Sequence, residues 1–454
     1  MASVLGVADS PVDDFGPDSA DTDPRNLLLS APMSRFQIIA IVAILALCAL
    51  DGFDVLAITF AAPAILRDWG IDKAQLGYAL SAGLLGMALG SLLISPLADT
   101  LGRRRLLFAS LALMISGTLW TALSQNLDQL IASRVLTGLG IGAMIGVIFP
   151  LAAEYANSRN RDRAISILSL GYPTGGILGG LLSAALLTTH GWRSIFFFAA
   201  AMGVVLTMVV WRFLIDPLAL VVARPGLDGL LRANAYLKRC GHAPVTSLPP
   251  PPPGSKRVPI AALFERATAR DTLTITLIYF LFMIPQFFMQ TWLPTLVTDI
   301  GLPPATGALT SAMFSLGGVA AALFISGMSV HIGIKRLEIV LLIGSAITIF
   351  GFSFLPAVIA QLMLGAAICG FFVMGGMIGL YAIIARTFPA HMRASGNGFV
   401  MGIGRFGSIL PPMLAGILFA AGVGREAIAA MMAAPAILAM LLLVSFRVRP
   451  PTLA

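Results

Sequence analysis

The chain has few charged residues, few cysteines and few histidines for its 454 residues. Only 11% of its residues are charged, whereas about a quarter are charged in a typical soluble domain. Its three cysteines, Cys48, Cys240 and Cys369, lie far apart, so the sequence predicts neither a disulfide framework nor a zinc ribbon. The composition therefore excludes an ordinary soluble enzyme, a secreted disulfide scaffold and a disordered regulator.

Apolar residues are abundant instead. Hydrophobic residues make up 58% of the chain, and the mean hydropathy is +0.92 over its whole length. Windows of about 20 apolar residues, the length that crosses a bilayer, recur along the chain. We predict twelve spans, over 36–64, 74–98, 106–124, 128–153, 164–188, 194–215, 272–297, 306–330, 337–356, 360–385, 395–421 and 426–446.

The remaining segments divide the chain. Residues 1–34 are acidic, lack the basic start and apolar core of a signal peptide, and are predicted to be a disordered cytoplasmic tail. A long gap, 216–271, contains the run Pro249 to Pro253 and is predicted to be a helix-free cytoplasmic connector. The predicted domains are a six-helix bundle over 35–215, a second over 272–446 and a short cytoplasmic tail over 447–454.

The distribution of positive charge predicts the orientation. Of the 29 Lys and Arg residues, 23 fall on the face of the N-terminus and two lie within spans; the four on the opposite face are Arg67, Lys73, Arg193 and Arg425. Because basic loops stay on the cytoplasmic side, both termini and the connector are predicted to be cytoplasmic in a multi-pass bacterial inner-membrane protein. The same asymmetry explains the net charge of +8 without a nucleic-acid partner, for which there is no basic patch.

Internal similarity between the halves points to alternating access. The segment Arg134–Gly138 has a counterpart in Gln361–Gly365, and the turn at Arg103–Arg105 is echoed by His331–Arg336. Two similar halves facing each other enclose a central cavity that can open to either side, as in carriers.

Ionisable residues inside the spans are functional candidates, because a charge within the bilayer is costly. Asp51 and Asp54 lie three residues apart on one face of the first span, where burial and mutual repulsion favour binding a proton. Arg134 in the fourth span either tunes this pair or holds helices together as a static ion pair. Arg405 in the eleventh span is a candidate anion site, since arginine stays charged; the alternatives are a static ion pair or a helix-end side chain that reaches the interface, and Arg134 could hold the substrate carboxylate instead. The aromatic residues Phe53, Tyr172 and Tyr381 are weaker candidates for stacking on a ring-bearing substrate.

The glycines Gly171, Gly175 and Gly179 repeat every four residues in the fifth span. Small residues at this spacing allow close helix approach, so we interpret them as packing residues rather than a binding site. Pro173, between them, is expected to bend the span.

Several motifs resemble the major facilitator superfamily and, within it, the aromatic acid:proton symporter family. They are Asp51-Gly-Phe-Asp54, Leu97-Ala-Asp99-Thr-Leu-Gly102-Arg103-Arg104, Gly191-Trp-Arg-Ser194, Arg393-Ala-Ser-Gly396 and Gly402-Ile-Gly-Arg405-Phe-Gly407. The resemblance covers nearly all of residues 35–446. It implies an all-α membrane protein with twelve transmembrane helices in two pseudo-symmetric six-helix halves. It also implies import of a small aromatic carboxylate with protons, without a cofactor or metal.

The resemblance also implies roles for individual residues. Asp51 and Asp54 match aspartates that the family needs for transport. Asp99, Gly102 and Arg103 match the superfamily's gating loop, and His331 stands beside the repeated loop. The pattern departs from the family at Ser95, Thr100 and Val330, which puts identical ion pairs at both gates in doubt.

The sequence leaves some alternative functions open and disfavours others. A proton-antiport exporter of drugs or metabolites usually has a Gly-Pro pair late in span five, but here Pro173 precedes Gly175. Another organic-acid or sugar carrier, or a transporter-like membrane sensor, stays open. An enzyme is disfavoured, since the four histidines, His190, His242, His331 and His391, are all predicted in loops and no zinc-protease or phosphate-binding motif is present.

Overall fold

A computed structural model describes residues 24–215, 218, 222, 227–248, 263–265, 268–389 and 392–446. This part of the chain contains sixteen α-helices, numbered here in chain order. They are α1 (Pro24–Ser30), α2 (Arg35–Trp69), α3 (Lys73–Leu89), α4 (Ala98–Leu101), α5 (Arg103–Leu123), α6 (Leu127–Tyr155), α7 (Arg161–Ser169), α8 (Gly171–Thr189), α9 (Arg193–Phe213), α10 (Leu227–Cys240), α11 (Ala269–Asp299), α12 (Pro304–Ile332), α13 (Ile334–Phe352), α14 (Ile359–Thr387), α15 (Arg393–Ala420) and α16 (Arg425–Ser445).

Eleven helical segments are long and apolar enough to cross a membrane. Of the twelve predicted spans, the ninth is not among these eleven. It corresponds to α13, a 19-residue helix that carries three charged residues, Lys335, Arg336 and Glu338. The predicted fifth span is divided into α7 and α8 at Leu170. We call the helices from α2 to α9 the N-terminal half and those from α11 to α16 the C-terminal half. The side on which α2 begins is the N-terminal face, and the side on which it ends is the opposite face.

Local signals in the sequence define the helix ends. Ser34 and Gln37 form a capping box at the start of α2, and Gly70 ends that helix at φ +60°. At its far end, α3 passes through a wider π-helical turn at Gly90–Ile94 and a tight turn at Ser95–Leu97 before α4. The expected similarity of the two halves is visible in the next turn. Gly102 before α5 and Gly333 before α13 have nearly equal backbone angles, φ/ψ of 89°/143° and 84°/136°.

Glycines set how closely the helices pack. A Cβ at Gly175 would overlap the carbonyl oxygen of Ala49, and one at Gly179 would overlap the ring of Phe53. The prediction that these glycines serve packing is thus confirmed, because they let α8 lie against α2 at backbone distance.

The connector between the halves was expected to be helix-free, and this was wrong. Its residues 227–240 form α10, whose residues Ala233, Tyr236 and Leu237 are buried. These apolar residues recur at helical spacing and pack towards α2, where the ring of Tyr236 lies 5.9 Å from that of Phe36. The run Pro249 to Pro253 lies outside the described residues.

The two halves meet towards the opposite face. The Ser81 hydroxyl of α3 donates to the carbonyl of Ile409 on α15 at 2.8 Å, and Gly180 of α8 lies against Ala308 of α12. At the same face the Lys73 ammonium is 2.6 Å from the Asp299 carboxylate. By contrast, α6 and α14 make no extensive contact with the other half in the described part of the chain. Because the contacts given above lie in the opposite-face parts of α3, α8, α12 and α15, we infer that the halves are closed together at the opposite face and open towards the N-terminal face.

Candidate functional site

The two acids of the first span lie in the middle of α2 and are both buried. Asp54 is tied to its own half, because the Thr118 hydroxyl of α5 donates to its Oδ1 at 2.8 Å. Asp51 has one carboxyl oxygen without a hydrogen-bond partner in the described chain, and it lies within electrostatic range of Arg405 across the interface. Three residues apart on one helix, the acids thus face different partners.

Arg134 extends from α6 towards Asp54. Its Nη2 donates to the backbone carbonyl of Asp54 at 3.2 Å, while its Nη1 is 3.9 Å from the Asp54 carboxylate. Its Nε and Nη1 have no hydrogen-bond partner among the described residues. Arg134 also lines a narrow cavity between the halves, together with Thr59, Gln290 and Thr291. The arginine is therefore held near Asp54 without a close, fully bonded ion pair.

Tyr172 links Asp51 to polar and aromatic side chains of the C-terminal half. The hydroxyl of Tyr172, at the start of α8, accepts a hydrogen bond from the Gln290 amide of α11. Tyr172 is within electrostatic range of both Asp51 and Tyr381. Of the three predicted aromatic residues, the structure thus brings Tyr172 to the acid and Tyr381 to Tyr172, while Gln290 bonds Tyr172 across the interface.

Arg405 completes this cluster from α15. Gly404 beside it has no side chain, so the Tyr279 ring of α11 packs directly onto α15. The Tyr279 hydroxyl donates to that of Tyr381 at 3.4 Å. Arg405 is half-buried, and its Nη1 is buried without a partner in the described part of the protein. A guanidinium whose Nη1 has no partner, next to a residue on which the Tyr279 ring packs, suits a planar anion.

Phe53 is not brought to this cluster. Its ring packs against Gly179 of α8 and lies 6.4 Å from the ring of Phe198 on α9. Residues two apart on a helix point to different sides, so Phe53 leaves α2 away from Asp51 and into the N-terminal half.

The predicted gating residues lie at the N-terminal face. Arg103 forms an ion pair with Glu154 near the end of α6, which the sequence reasoning did not single out. Gly102 takes the positive φ that the turn requires. The side chain of Asp99 lies outside the described residues. The expectation that His331 lies in a loop was wrong, because α12 continues to Ile332 and His331 is exposed in its last turn.

Sequence reasoning missed the amides of α11. Gln286 and Gln290 are buried four residues apart, and the Gln286 amide donates to the Gln290 carbonyl oxygen at 3.2 Å. Two amides at helical spacing within an apolar span were a readable signal, since polar groups there need partners.

Known proteins resemble the chain in sequence and in fold. The family model described as "Major Facilitator Superfamily" matches residues 42–358 and 275–454. A gallate transporter of Pseudomonas putida is 30% identical over 94% of this chain and 95% of its own length. The 4-hydroxybenzoate transporter PcaK of Acinetobacter baylyi is 31% identical over 89% of this chain and 90% of its own. The crystal structure of a D-xylose-proton symporter is similar at a TM-score of 0.69, with 16% identity over 91% of this chain and 98% of the symporter. The chain belongs to the Major Facilitator Superfamily and is a multi-pass membrane transporter, not an enzyme.

Proposed function

We propose that this transporter imports a small aromatic carboxylate together with protons by alternating access. The observation that carries the proposal is the placement of Arg405 and Tyr172 within electrostatic range of Asp51 at the interface between the halves, with Tyr381 in range of Tyr172. The names of the relatives, gallate and 4-hydroxybenzoate transporters, support the substrate class. The lipid bilayer surrounds the helices, and the proton is the coupling ion.

Arg405 is proposed to hold the substrate carboxylate, because an anion in a low-dielectric cavity needs a fixed cation. Tyr172 and Tyr381 then offer ring faces and hydroxyls to the aromatic ring. Arg134 lines the neighbouring cavity and is the alternative anion site.

Coupling is proposed to follow from competition for Arg405. Without substrate, the nearby guanidinium lowers the cost of ionising the buried Asp51. A substrate carboxylate on Arg405 takes that compensation away, so Asp51 must bind a proton to stay buried. The proton and the anion then cross together. Asp54, bonded to Thr118 and close to Arg134, is proposed to relay the proton within the N-terminal half.

The orientation is proposed from the charge asymmetry. With the basic N-terminal face in the cytoplasm, both termini are cytoplasmic and the protein lies in the bacterial inner membrane. The described conformation, closed at the opposite face, would then be open inward. Residues 35–215 and 272–446 would be the two moving bundles, joined by the connector at 216–271. Asp99, Gly102, Arg103 and His331 would contribute to gating at the cytoplasmic face.

The decisive experiment is uptake of radiolabelled aromatic acids into proteoliposomes that contain the full chain, with and without an imposed proton gradient. Gradient-dependent accumulation of one acid is the expected result. Absence of accumulation, with faster loss from preloaded vesicles, would contradict import and favour export.

A further inference from the structure

A buried carboxyl group in the C-terminal half, that of Glu338, lies outside the transport site. Glu338 is the fifth residue of α13 and is fully buried. Neither of its carboxyl oxygens has a hydrogen-bond partner in the described part of the chain. The side chain points at α14, where a Cβ on Gly379 would overlap the carboxyl. Glycine at position 379 thus makes the space that the carboxyl occupies.

No charged group compensates Glu338 among the described residues. On α13 itself, the Lys335 ammonium donates to the carbonyls of Val444 and Phe446 at 2.9 and 2.7 Å, and Arg336 is exposed. Helix α13 packs against α12, α14 and α16 and touches α11. The titratable or charged residues of those helices, none of which forms a hydrogen bond or ion pair with Glu338, are Arg270, Asp271, Tyr279, Asp299, His331, Cys369, Tyr381, Arg386, Arg425 and Glu426.

The N-terminal half shows that the fold does not need an acid at this position. Counting from the matching glycines Gly102 and Gly333, the residue equivalent to Glu338 is Leu107. Leu107 is also fully buried. An apolar side chain therefore satisfies the same packing in the other half. An unpaired ionisable group inside a membrane bundle is a functional candidate by default.

Burial without a partner determines which form of Glu338 fits this conformation. An ionised carboxylate with no donor is costly to bury, so the group is accommodated with a proton bound. The exchange route is short, because Glu338 lies four residues, about 6 Å along the axis, from the start of α13 at the N-terminal face. The neighbouring α14 carries both Gly379 and Tyr381, so it joins this carboxyl to the transport site.

We propose that Glu338 is a proton-binding site, distinct from the transport site, that exchanges with water on the N-terminal face and links conformation to pH there. Releasing the proton requires α14 to shift against α13 so that water reaches the carboxyl, which then ionises. The conformation described here buries the carboxyl without a donor, so acid on the N-terminal face increases its population, and a rise in pH depletes it.

The test uses the full chain in lipid nanodiscs, without substrate and without a gradient. Spin labels at Arg161→Cys and Ser445→Cys, both exposed near the N-terminal face, report the opening between the halves. The wild-type distance distribution is expected to move to shorter distances as the pH rises. Glu338→Gln, which stays neutral, should lose this Glu338-dependent shift and remain open at the N-terminal face. Glu426→Gln, at the exposed end of α16, is the matched control and should behave as the wild type.

A second measurement tests the proposal even if the Glu338→Gln variant folds poorly. The infrared absorption of a protonated carboxyl, compared between the wild type and Glu338→Leu at neutral pH, should be smaller in the variant, which copies Leu107. An unchanged infrared spectrum, or a Glu338→Gln variant that follows the wild-type pH dependence, would overturn the proposal. Because neither readout needs transport, failure of the proposed uptake would be seen separately.

Discussion

Replacing Arg405 by glutamine is the most direct perturbation of the proposed transport site. Arg405 is half-buried and has an unpartnered Nη1 in the described structure. Truncating one partner of a desolvated charge pair costs about 2–5 kcal/mol, much of it from the charge left unpaired. Because Arg405 is only half-buried, we expect the lower part of that range, about 3 kcal/mol, which corresponds to about a hundredfold weaker binding of the acid.

The assay is equilibrium binding of radiolabelled 4-hydroxybenzoate and of its uncharged amide to the purified transporter. Arg405→Gln should weaken binding of the acid about a hundredfold and leave the amide nearly unaffected, since the amide has no charge to compensate. Arg405→Lys keeps the charge but not the planar fork, and should lie between the two. Arg425→Gln, at the opposite face, is the control. An Arg405→Gln variant that binds the acid normally, or loses acid and amide equally, would refute the assignment.

Three further predictions follow from the geometry. Asp51→Asn should abolish accumulation driven by a proton gradient but keep exchange of labelled for unlabelled acid. Asp68→Asn, on an exposed side chain, is the control. Gradient-driven uptake retained by Asp51→Asn would contradict the coupling role of Asp51. Lys73→Ala removes a partly exposed ion pair worth about 1 kcal/mol and should shift the population towards opening at the opposite face by about fivefold, measured by cysteine accessibility there. The charge-reversed pair Lys73→Asp with Asp299→Lys should restore closure. A double variant whose cysteine accessibility equals that of the single variants would contradict a role of this ion pair in closure. Gly175→Ala should destabilise the protein by about 1–3 kcal/mol, because its Cβ meets the Ala49 carbonyl, whereas Gly402→Ala has open space around it and should be neutral or stabilising in thermal unfolding.

The sequence was most informative where a charge interrupts an apolar run. Asp51, Asp54, Arg134 and Arg405 were found in this way, because the bilayer makes such residues rare. Glu338 was missed because Lys335 and Arg336 precede it, so it resembled one more charge at a helix end. Only the packing against Gly379 distinguishes it.

The sequence did not predict the direction in which a side chain leaves its helix, nor which residues meet across the interface between the halves. Phe53 lies between two site acids in the chain, yet its ring packs into the N-terminal half. The ion pair of Lys73 and Asp299 joins residues 226 positions apart, and nothing local predicts it. Helix α10 was hidden by the prolines that follow it, which dominated the composition of the connector.

The attachment of α10 to the N-terminal half determines where the protein can be divided into two co-expressed fragments. Tyr236 packs on Phe36 and Tyr155, and Arg239 lies 5.7 Å from the centre of the Phe36 ring. On the other side, the Thr272 hydroxyl donates to the carbonyl of Leu263 at 3.0 Å. The connector is thus shared unequally, with 227–248 held by the first bundle and 263–265 by the second. Two co-expressed fragments divided between residues 248 and 263 should reassemble into a working carrier. A cut before Leu227 would instead leave α10 on the second fragment, although it packs on the first bundle.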